Sequence, residues 1–375
     1  MVEEDEFYHL SIKCMDLIIK PTEICNFKCS FCSSTKIAEH KKDVLSHDYI
    51  FRFLKRYPDT NTIIVNGGDP LMMSPDYYWK IIDHLNENDY KASISLTTNL
   101  WPFLVKPKKW KDLFNDDRIG VTTSFQYGGG RLKGDFSEFT EEDFWRCSDA
   151  MLEHCGYRPD FIAVIVPENA DRAIKNVELA YKMSAGFPPV DTFENLSKDK
   201  KGVECKLNYA MASGDQEKPF LKGDIYKTYV EIYNQGLAPW EFNTKQMAKR
   251  LRREQTLCPL HRTCDAGIRA FNPGGDYYSC GAFGDDMDKS IDFEKEMNGE
   301  FFLPLQNDLN LHSMKQACYT CPMFEICNGC RKTIKDYKEH GLVEQHCRKM
   351  KNIAPEILKI NRINKEVTPY VDESI

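Results

Sequence analysis

Short apolar runs alternate with amphipathic stretches through the first 210 positions of the chain. The apolar runs predict buried strands over residues 16–20, 62–66, 92–97, 119–124, 161–166 and 203–210. Helical periodicity between them predicts helices over residues 46–57, 75–86, 108–114, 140–153 and 170–184. Strands that alternate with helices are typical of a parallel sheet built from βαβ units. The pattern therefore predicts an α/β fold, a partial (β/α)6 barrel like an incomplete TIM barrel.

The pattern changes after residue 215. Residues 219–236 predict a connecting helix, and a basic helical run follows at residues 245–253. From residue 258 to residue 347 the chain is rich in cysteine, as in small domains that take their order from metal centres. We predict a barrel over 1–215, a helical bridge over 216–257, a small cysteine-rich domain over 258–350 and a tail over 351–375.

Size and charge narrow the class of protein. A chain of 375 residues can bury a sizeable core and form two or three domains. The net charge of −7 gives no overall attraction to nucleic acid. The sequence has no stretch of about 18 apolar residues that would cross a membrane. Its acidic start lacks an apolar signal region, so we expect a cytoplasmic protein without a membrane partner.

Fifteen cysteines are many for such a chain, and in a reducing compartment they indicate metal ligands more than disulfides. Cys25, Cys29 and Cys32 follow the first predicted strand on one short loop. This cysteine loop (residues 25–32) has no room for a fourth thiolate, whereas a [4Fe–4S] cube takes four ligands. The spacing therefore indicates a cube with one open iron. Half of a zinc site and three small buried side chains are the alternatives.

A second signal follows the second predicted strand. Gly67, Gly68, Asp69 and Pro70 form a glycine turn (residues 67–70), and glycine lets a backbone approach a ligand closely. Ligands of α/β folds bind at the carboxyl ends of strands, so the turn and the cysteine loop are expected on one rim. An ordinary tight turn is the alternative.

Together, the cysteine loop and the glycine turn resemble the radical S-adenosylmethionine (radical SAM) superfamily. The resemblance implies an enzyme with the partial barrel fold. SAM would chelate the open iron of the cluster that Cys25, Cys29 and Cys32 hold. One electron would then cleave SAM to a 5′-deoxyadenosyl radical that abstracts hydrogen from the substrate. It also implies an external one-electron reductant such as flavodoxin or ferredoxin.

The resemblance also implies contacts to SAM. Phe31 would lie against the adenine, and the glycine turn would bind the methionine amino group. Asp69 stands where the family has glutamate, one methylene longer. Thr98 at the end of strand three and Ser124 at the end of strand four are further candidates, with Ser124 at the ribose or carboxylate. For both, strand-end hydrogen bonding is the alternative.

Eight further cysteines have the spacing Cys258-x5-Cys264-x15-Cys280 and Cys318-x2-Cys321-x5-Cys327-x2-Cys330-x16-Cys347. They suffice for two fully ligated cubes and resemble the SPASM domain that follows the barrel in many radical SAM enzymes. The resemblance implies a first auxiliary cluster on Cys258, Cys264, Cys280 and Cys330. It implies a second on Cys318, Cys321, Cys327 and Cys347. The x2 spacing between Cys327 and Cys330 departs from the usual x3, and a zinc site of Cys318, Cys321, Cys327 and Cys330 is the alternative.

The resemblance thus implies three [4Fe–4S] clusters and SAM as cofactors. It also implies that the enzyme oxidatively modifies or cross-links a side chain of a peptide or protein. Fully ligated auxiliary cubes have no vacant iron, so they are expected to carry electrons. Sulfatase-maturating members have an acidic residue directly after the third cysteine of the array, whereas Gly281 follows Cys280 here. Many peptide-modifying members carry an N-terminal leader-binding domain, and we expect the short segment before the barrel to have no room for one. A peptide would bind the barrel mouth directly or arrive with a separate leader-peptide carrier.

Two other functions stay open. The first is radical modification of a small molecule, nucleoside or nucleic-acid base, for which the basic run at 245–253 or the lysines at 106–111 would meet phosphates. For both groups, solvated helix faces are the favoured interpretation. The run Gly128-Gly129-Gly130-Arg131 is either a flexible substrate loop or a turn. The second function is a non-enzymatic iron–sulfur electron carrier, which would have no use for a SAM pocket.

Overall fold

A mostly parallel sheet of eight strands forms the centre of the computed structural model. The structure describes residues 15–34, 43–187, 189, 202–214, 216, 219–251, 267–300, 321, 323, 327 and 330–362. The strands are β1 (Met15–Ile19), β2 (Thr60–Val65), β3 (Ser93–Thr97), β4 (Ile119–Ser124), β5 (Asp160–Ile165), β6 (Cys205–Tyr209), β7 (Ile268–Phe271) and β8 (Tyr277–Tyr278). Their order is β6-β5-β4-β3-β2-β1-β7-β8. Because β6 and β8 lie at opposite ends, the sheet is an unclosed barrel, as predicted.

Helices alternate with the strands as the periodicity predicted. They are α1 (His47–Arg56), α2 (Pro75–Glu87), α3 (Trp101–Val105), α4 (Pro107–Phe114), α5 (Glu141–Cys155), α6 (Ala173–Met183), α7 (Lys222–Asn234), α8 (Phe242–Leu251), α9 (Gly281–Asp286), α10 (Phe293–Met297), α11 (Arg331–Glu339) and α12 (Val343–Arg362). Ser46 caps α1 by accepting a hydrogen bond from the Asp48 amide. Ile50, Phe53 and Leu54 of α1 are fully buried against the sheet.

The sequence pattern did not predict that β7 and β8 extend the barrel sheet. β7 pairs in parallel with β1, and β8 pairs antiparallel with β7. A four-residue strand and a two-residue strand are too short to show a period. The region after the barrel therefore packs directly on the strand that leads into the cysteine loop.

A buried ion pair fixes this junction. The side chains of Arg269 in β7 and Glu296 in α10 are both 0% exposed, with Arg269 Nε 2.9 Å from Glu296 Oε1. The hydroxyls of Tyr57 and Tyr277 donate to the same oxygen at 2.6 and 3.1 Å. One carboxylate thus joins the end of α1 to β7, β8 and α10.

We expect Glu296→Ala to lower the stability of the protein by about 3–5 kcal/mol, because it deprives a buried guanidinium of its carboxylate. Urea unfolding of the wild type and the variant under the same anaerobic conditions measures the loss. Glu294→Ala is the matched control, since Glu294 pairs with Arg52 at the surface of the same helix and exposed pairs contribute little. Equal losses in the two variants would contradict this account.

Helices that follow the sixth strand pack on one another, and α8 also packs on β6. α7 packs against α8 and α12, and α12 continues past residue 350 with Pro355 inside it. The domain boundaries remain predictions. Within the described segments, no helix has both the length and the hydropathy needed to cross a membrane.

Candidate cluster and cofactor site

The cysteine loop begins six residues after the end of β1, at the carboxyl end of that strand. Cys25, Cys29 and Cys32 are free thiols, and all three are half-buried. Burial raises the pKa of Cys25 to about 12 and raises the pKa of Cys32. Thiols in this environment become thiolates when a metal cation offsets their desolvation.

The glycine turn packs on the chain segment that leads into Cys25. The amides of Gly68 and Asp69 donate to the carbonyls of Thr22 and Ile24, each at 2.9 Å. A Cβ atom on Gly67 would lie 2.6 Å from the Thr22 oxygen, and one on Gly68 would lie 2.2 Å from the Ile24 oxygen. The two glycines are thus required for close approach to the protein's own backbone. Their predicted contact with SAM stays a prediction.

Asp69 connects three strand ends. Its side chain, 2% exposed, accepts hydrogen bonds from the amides of Leu71 and Asn99 and from the hydroxyl of Thr98, all at 2.9 Å. Asn99 in turn donates to Asn26, next to Cys25, at 2.8 Å. Burial raises the pKa of Asp69 to about 6. The carboxylate therefore ties the glycine turn to the end of β3 and, through Asn99, to the cysteine loop.

The other predicted contacts to SAM lie on the same rim. Thr98 and Ser124 both make strand-end hydrogen bonds, to Asp69 and to Arg131 respectively. Phe31 is buried. Pro70 starts a one-turn 3-10 helix over Pro70–Met72, and the hydroxyl of Tyr78 donates to its carbonyl at 2.7 Å. The role of these residues toward SAM stays a prediction.

The glycine run after β4 is a fixed backbone partner of the cysteine loop. The Ser30 amide donates to the Gly130 carbonyl at 3.0 Å, and the Lys28 amide donates to the Leu132 carbonyl at 2.8 Å. Gly130 has a φ of +79°, and a Cβ there would lie 2.0 Å from the Ser30 hydroxyl oxygen. The run is therefore more than the flexible loop or simple turn that its composition indicated.

This pairing brings Arg131 beside the thiols. Arg131 is 6% exposed and donates to Gln126 Oε1 at 2.8 Å and to Ser124 Oγ at 2.9 Å. Its Cζ lies 5.2 Å from the centre of the Phe31 ring. Burial lowers the pKa of Arg131, and negative charge on Cys29, Cys25 and Cys32 opposes that shift. A cation beside thiols favours their ionised form. The sequence alone gives Arg131 no part in the site.

Two of the predicted auxiliary ligands lie at adjacent helix starts. Cys280 directly precedes α9 and Cys330 directly precedes α11. Burial raises the pKa of Cys280 to about 12, and the nearby Cys330 adds to this shift. The buried ammonium of Lys332 joins the two helices, since it lies 2.9 Å from Asp286 and 2.5 Å from Asp336.

The other auxiliary cysteines are only partly described. Cys321, Cys327 and Cys347 are half-buried free thiols, whereas Cys258, Cys264 and Cys318 lie outside the described residues. Of the four cysteines without a predicted ligand role, Cys147 and Cys205 are fully buried in the core. Cys155 packs against that core, and Cys14 lies outside the described residues.

An ion pair joins the barrel rim to the cysteine-rich region. Lys20, buried at the end of β1, lies 2.5 Å from Asp285 in α9. Asp285 acts electrostatically on both Cys32 and Cys280. The two predicted cluster regions are therefore neighbours, with the Lys20–Asp285 ion pair close to both.

The basic run has a different environment from the one its composition indicated. Lys245 pairs with Glu204, and Met247 and Ala248 are buried on the inner face of α8. Arg252 and Arg253 lie outside the described residues. By contrast, Lys108, Lys109 and Lys111 on α4 are exposed. The α4 lysines therefore present open charge to a phosphate.

The three thiols of the cysteine loop suit a [4Fe–4S] cube, which takes one ligand at each of its four irons. Three half-buried thiols on one loop beside a buried cation fit that group.

Residues 19–179 match the family model of the Radical SAM superfamily. A GTP 3′,8-cyclase from Sulfurovum sp. strain NBC37-1 is 35% identical over 103 residues, 26% of this chain and 30% of the cyclase. The chain thus spans less than a third of that relative. A cysteine-type anaerobic sulfatase-maturating enzyme from Clostridium perfringens strain ATCC 13124 is 21% identical over 360 residues, 88% of this chain and 92% of that enzyme.

Solved structures show the same fold. The structure of native anSMEcpe with bound AdoMet and Cp18Cys peptide has a TM-score of 0.62 and 15% identity. The match covers 94% of this chain and 100% of that one. SuiB of Streptococcus suis bound to the precursor peptide SuiA has a TM-score of 0.52 and 16% identity, over 84% of this chain and 71% of SuiB. These matches support the predicted partial barrel with its cysteine-rich C-terminal region.

Proposed function

This chain belongs to the radical SAM superfamily, and from that premise we propose that it cleaves SAM reductively and abstracts hydrogen from a peptide or protein side chain. Membership implies a [4Fe–4S] cluster and SAM. When bound, the cluster supplies the electron for the cleavage, while the protein orients the reactants and excludes water. The observation that carries the proposal is the rim on which the cysteine loop, the glycine turn and Arg131 pack against one another.

Cys25, Cys29 and Cys32 would hold the cluster, and three thiolates on four irons leave one iron for SAM. Phe31, the glycine turn, Thr98 and Ser124 would line the SAM pocket. Asp69 would act chiefly by fixing the turn, because its oxygens already accept three hydrogen bonds from the protein. Arg131 would supply positive charge to the thiolates.

The C-terminal region would hold the two auxiliary clusters. Support for the first comes from Cys280 and Cys330, whose helices are joined by Lys332. Cys258 and Cys264 would complete that set. Cys318, Cys321, Cys327 and Cys347 would hold the second. Four thiolates per cube leave no vacant iron, so these clusters would supply electron transfer, and an external flavodoxin or ferredoxin would supply the first electron.

A peptide or protein substrate is supported by the solved structures of similar fold, because those of anSMEcpe and SuiB contain peptides. The peptide would enter at the barrel mouth, directly or with a separate carrier protein. Gly281 follows Cys280 in place of an acidic residue, and Asp285 is paired with Lys20. The modified side chain would therefore be handled differently from that of a sulfatase.

The match to GTP 3′,8-cyclases favours a second candidate, the radical modification of a nucleotide. The exposed lysines of α4 would meet its phosphates. The paired state of Lys245 weakens this candidate, because it removes one charge of the second basic group.

Deuterium transfer separates the two candidates. The reduced holoenzyme would be incubated with SAM and either uniformly deuterated peptides encoded beside its gene or deuterated GTP. We expect deuterium in 5′-deoxyadenosine from a peptide and none from GTP. Deuterium from GTP alone would replace the peptide proposal by the nucleotide one.

A further inference from the structure

Cys327, a predicted ligand of the second auxiliary cluster, lies against a buried histidine. His346 of α12 is 3% exposed, and its Nε2 lies 3.5 Å from Cys327 Sγ. The Cys327 carbonyl accepts a hydrogen bond from Lys222 Nζ at 3.2 Å, and its amide donates to Met323 at 2.9 Å. Thiol and imidazole are therefore both held by the surrounding fold.

Tyr337 fixes the imidazole from the other side. The two rings lie 4.6 Å apart with 35° between their planes. The Tyr337 hydroxyl donates to the Phe220 carbonyl at 2.6 Å and accepts from the Lys222 amide at 2.9 Å. A ring packed this way has little freedom to turn away from the sulfur.

The hydrogen-bond partners of His346 indicate where its proton lies. A neutral imidazole has one N–H donor and one bare nitrogen. Nδ1 of His346 is buried and meets no partner in the part of the chain that the structure describes. Either tautomer leaves Nδ1 without a partner, but a cluster thiolate can only accept a hydrogen bond, so the nitrogen that faces it carries the proton. A proton on Nε2 is directed at Cys327 Sγ.

We propose that His346 Nε2–H donates a hydrogen bond to the Cys327 thiolate of the second auxiliary cluster and raises the reduction potential of that cluster. The inference rests on the proposed function, which supplies the cluster. Reduction adds negative charge to a cube and its thiolates, so a donor to a ligand sulfur stabilises the reduced form more than the oxidised form. His346 is a positioning and tuning residue, and it is distinct from the four cysteine ligands.

The test compares holoenzymes of the wild type, His346→Phe and His346→Gln. Phenylalanine keeps a ring of similar shape without a donor, whereas glutamine keeps a donor. His340→Phe is the matched control, because His340 lies exposed at the end of α11. Iron per chain and EPR-monitored redox titration are measured for each.

We expect about twelve irons per chain in all four proteins, four for each cube. One midpoint potential falls in His346→Phe, recovers in part in His346→Gln and stays unchanged in His340→Phe. The other two potentials do not move. Equal potentials in all variants would overturn the inference, and so would loss of about four irons from His346→Phe alone, which would make the imidazole a ligand.

A measurement on the wild type covers the case in which His346→Phe does not fold. With ¹⁵N-histidine and deuterated water, pulsed EPR should detect a nitrogen and an exchangeable proton coupled to one auxiliary cluster. Absence of both couplings overturns the inference while leaving the clusters in place. About four irons per chain in the wild type would instead show that the protein holds no auxiliary clusters, which would contradict the proposed function.

Discussion

Replacing Gly68 with alanine is expected to lower 5′-deoxyadenosine formation at least about 100-fold, the scale of effect that a 1 Å displacement of catalytic groups can have. The added Cβ would lie 2.2 Å from the carbonyl oxygen and 2.5 Å from the carbonyl carbon of Ile24. These are backbone atoms directly before Cys25 and cannot rotate aside. The glycine turn or the cysteine loop must move, and each carries part of the proposed site.

Gly267→Ala is the matched control for this substitution. Gly267 also has no positive φ, and a Cβ there meets nothing within 4 Å. Production of 5′-deoxyadenosine and iron content would be measured for both variants. We expect Gly68→Ala to lose iron from the barrel cluster and Gly267→Ala to keep wild-type values. Full activity in Gly68→Ala would show that the turn does not need its close contact with Ile24.

Replacing Arg131 with methionine is expected to lower SAM cleavage about 100-fold, equivalent to about 2.7 kcal/mol at 1.36 kcal/mol for each tenfold. The substitution removes the buried cation beside Cys25, Cys29 and Cys32, and with it the hydrogen bonds to Ser124 and Gln126. Without that charge the reduced cluster is less stable, so the potential of the barrel cluster should fall. Redox titration and product formation measure the two effects.

Arg131→Lys distinguishes charge from geometry. Lysine keeps the charge but not the planar fork of donors, so an intermediate activity is expected. Arg172→Met is the control, because Arg172 is exposed beside the same glycine run. If Arg131→Met and Arg172→Met behave alike, Arg131 has no electrostatic role in the site.

Local patterns in the sequence were sufficient to predict the barrel and to predict which loops lie on its rim. Strand β4 has the predicted bounds. Helix α1 begins directly after the predicted cap, Ser46, because the cap and the apolar face of the helix are both local features of the sequence. The cysteine loop and the glycine turn follow neighbouring parallel strands, so their shared rim follows from topology alone.

Contacts between distant parts of the chain were not predictable in this way. Arg131 reaches the thiols only because Gly130 pairs with Ser30, a hundred positions earlier. The contact of His346 with Cys327 depends on how α12 packs beside Tyr337 and Lys222. Neither residue stands out by spacing or composition. For Asp69, charge and position were evident, but its three protein donors were not.

The most direct test of the central claim is the formation of 5′-deoxyadenosine by the anaerobically purified, iron-loaded and reduced protein with SAM. We predict about twelve irons per chain, with 5′-deoxyadenosine and methionine formed in equal amounts by the wild type and neither formed by Cys29→Ala. No 5′-deoxyadenosine from a fully loaded wild-type protein would contradict the proposed activity and favour an iron–sulfur electron carrier.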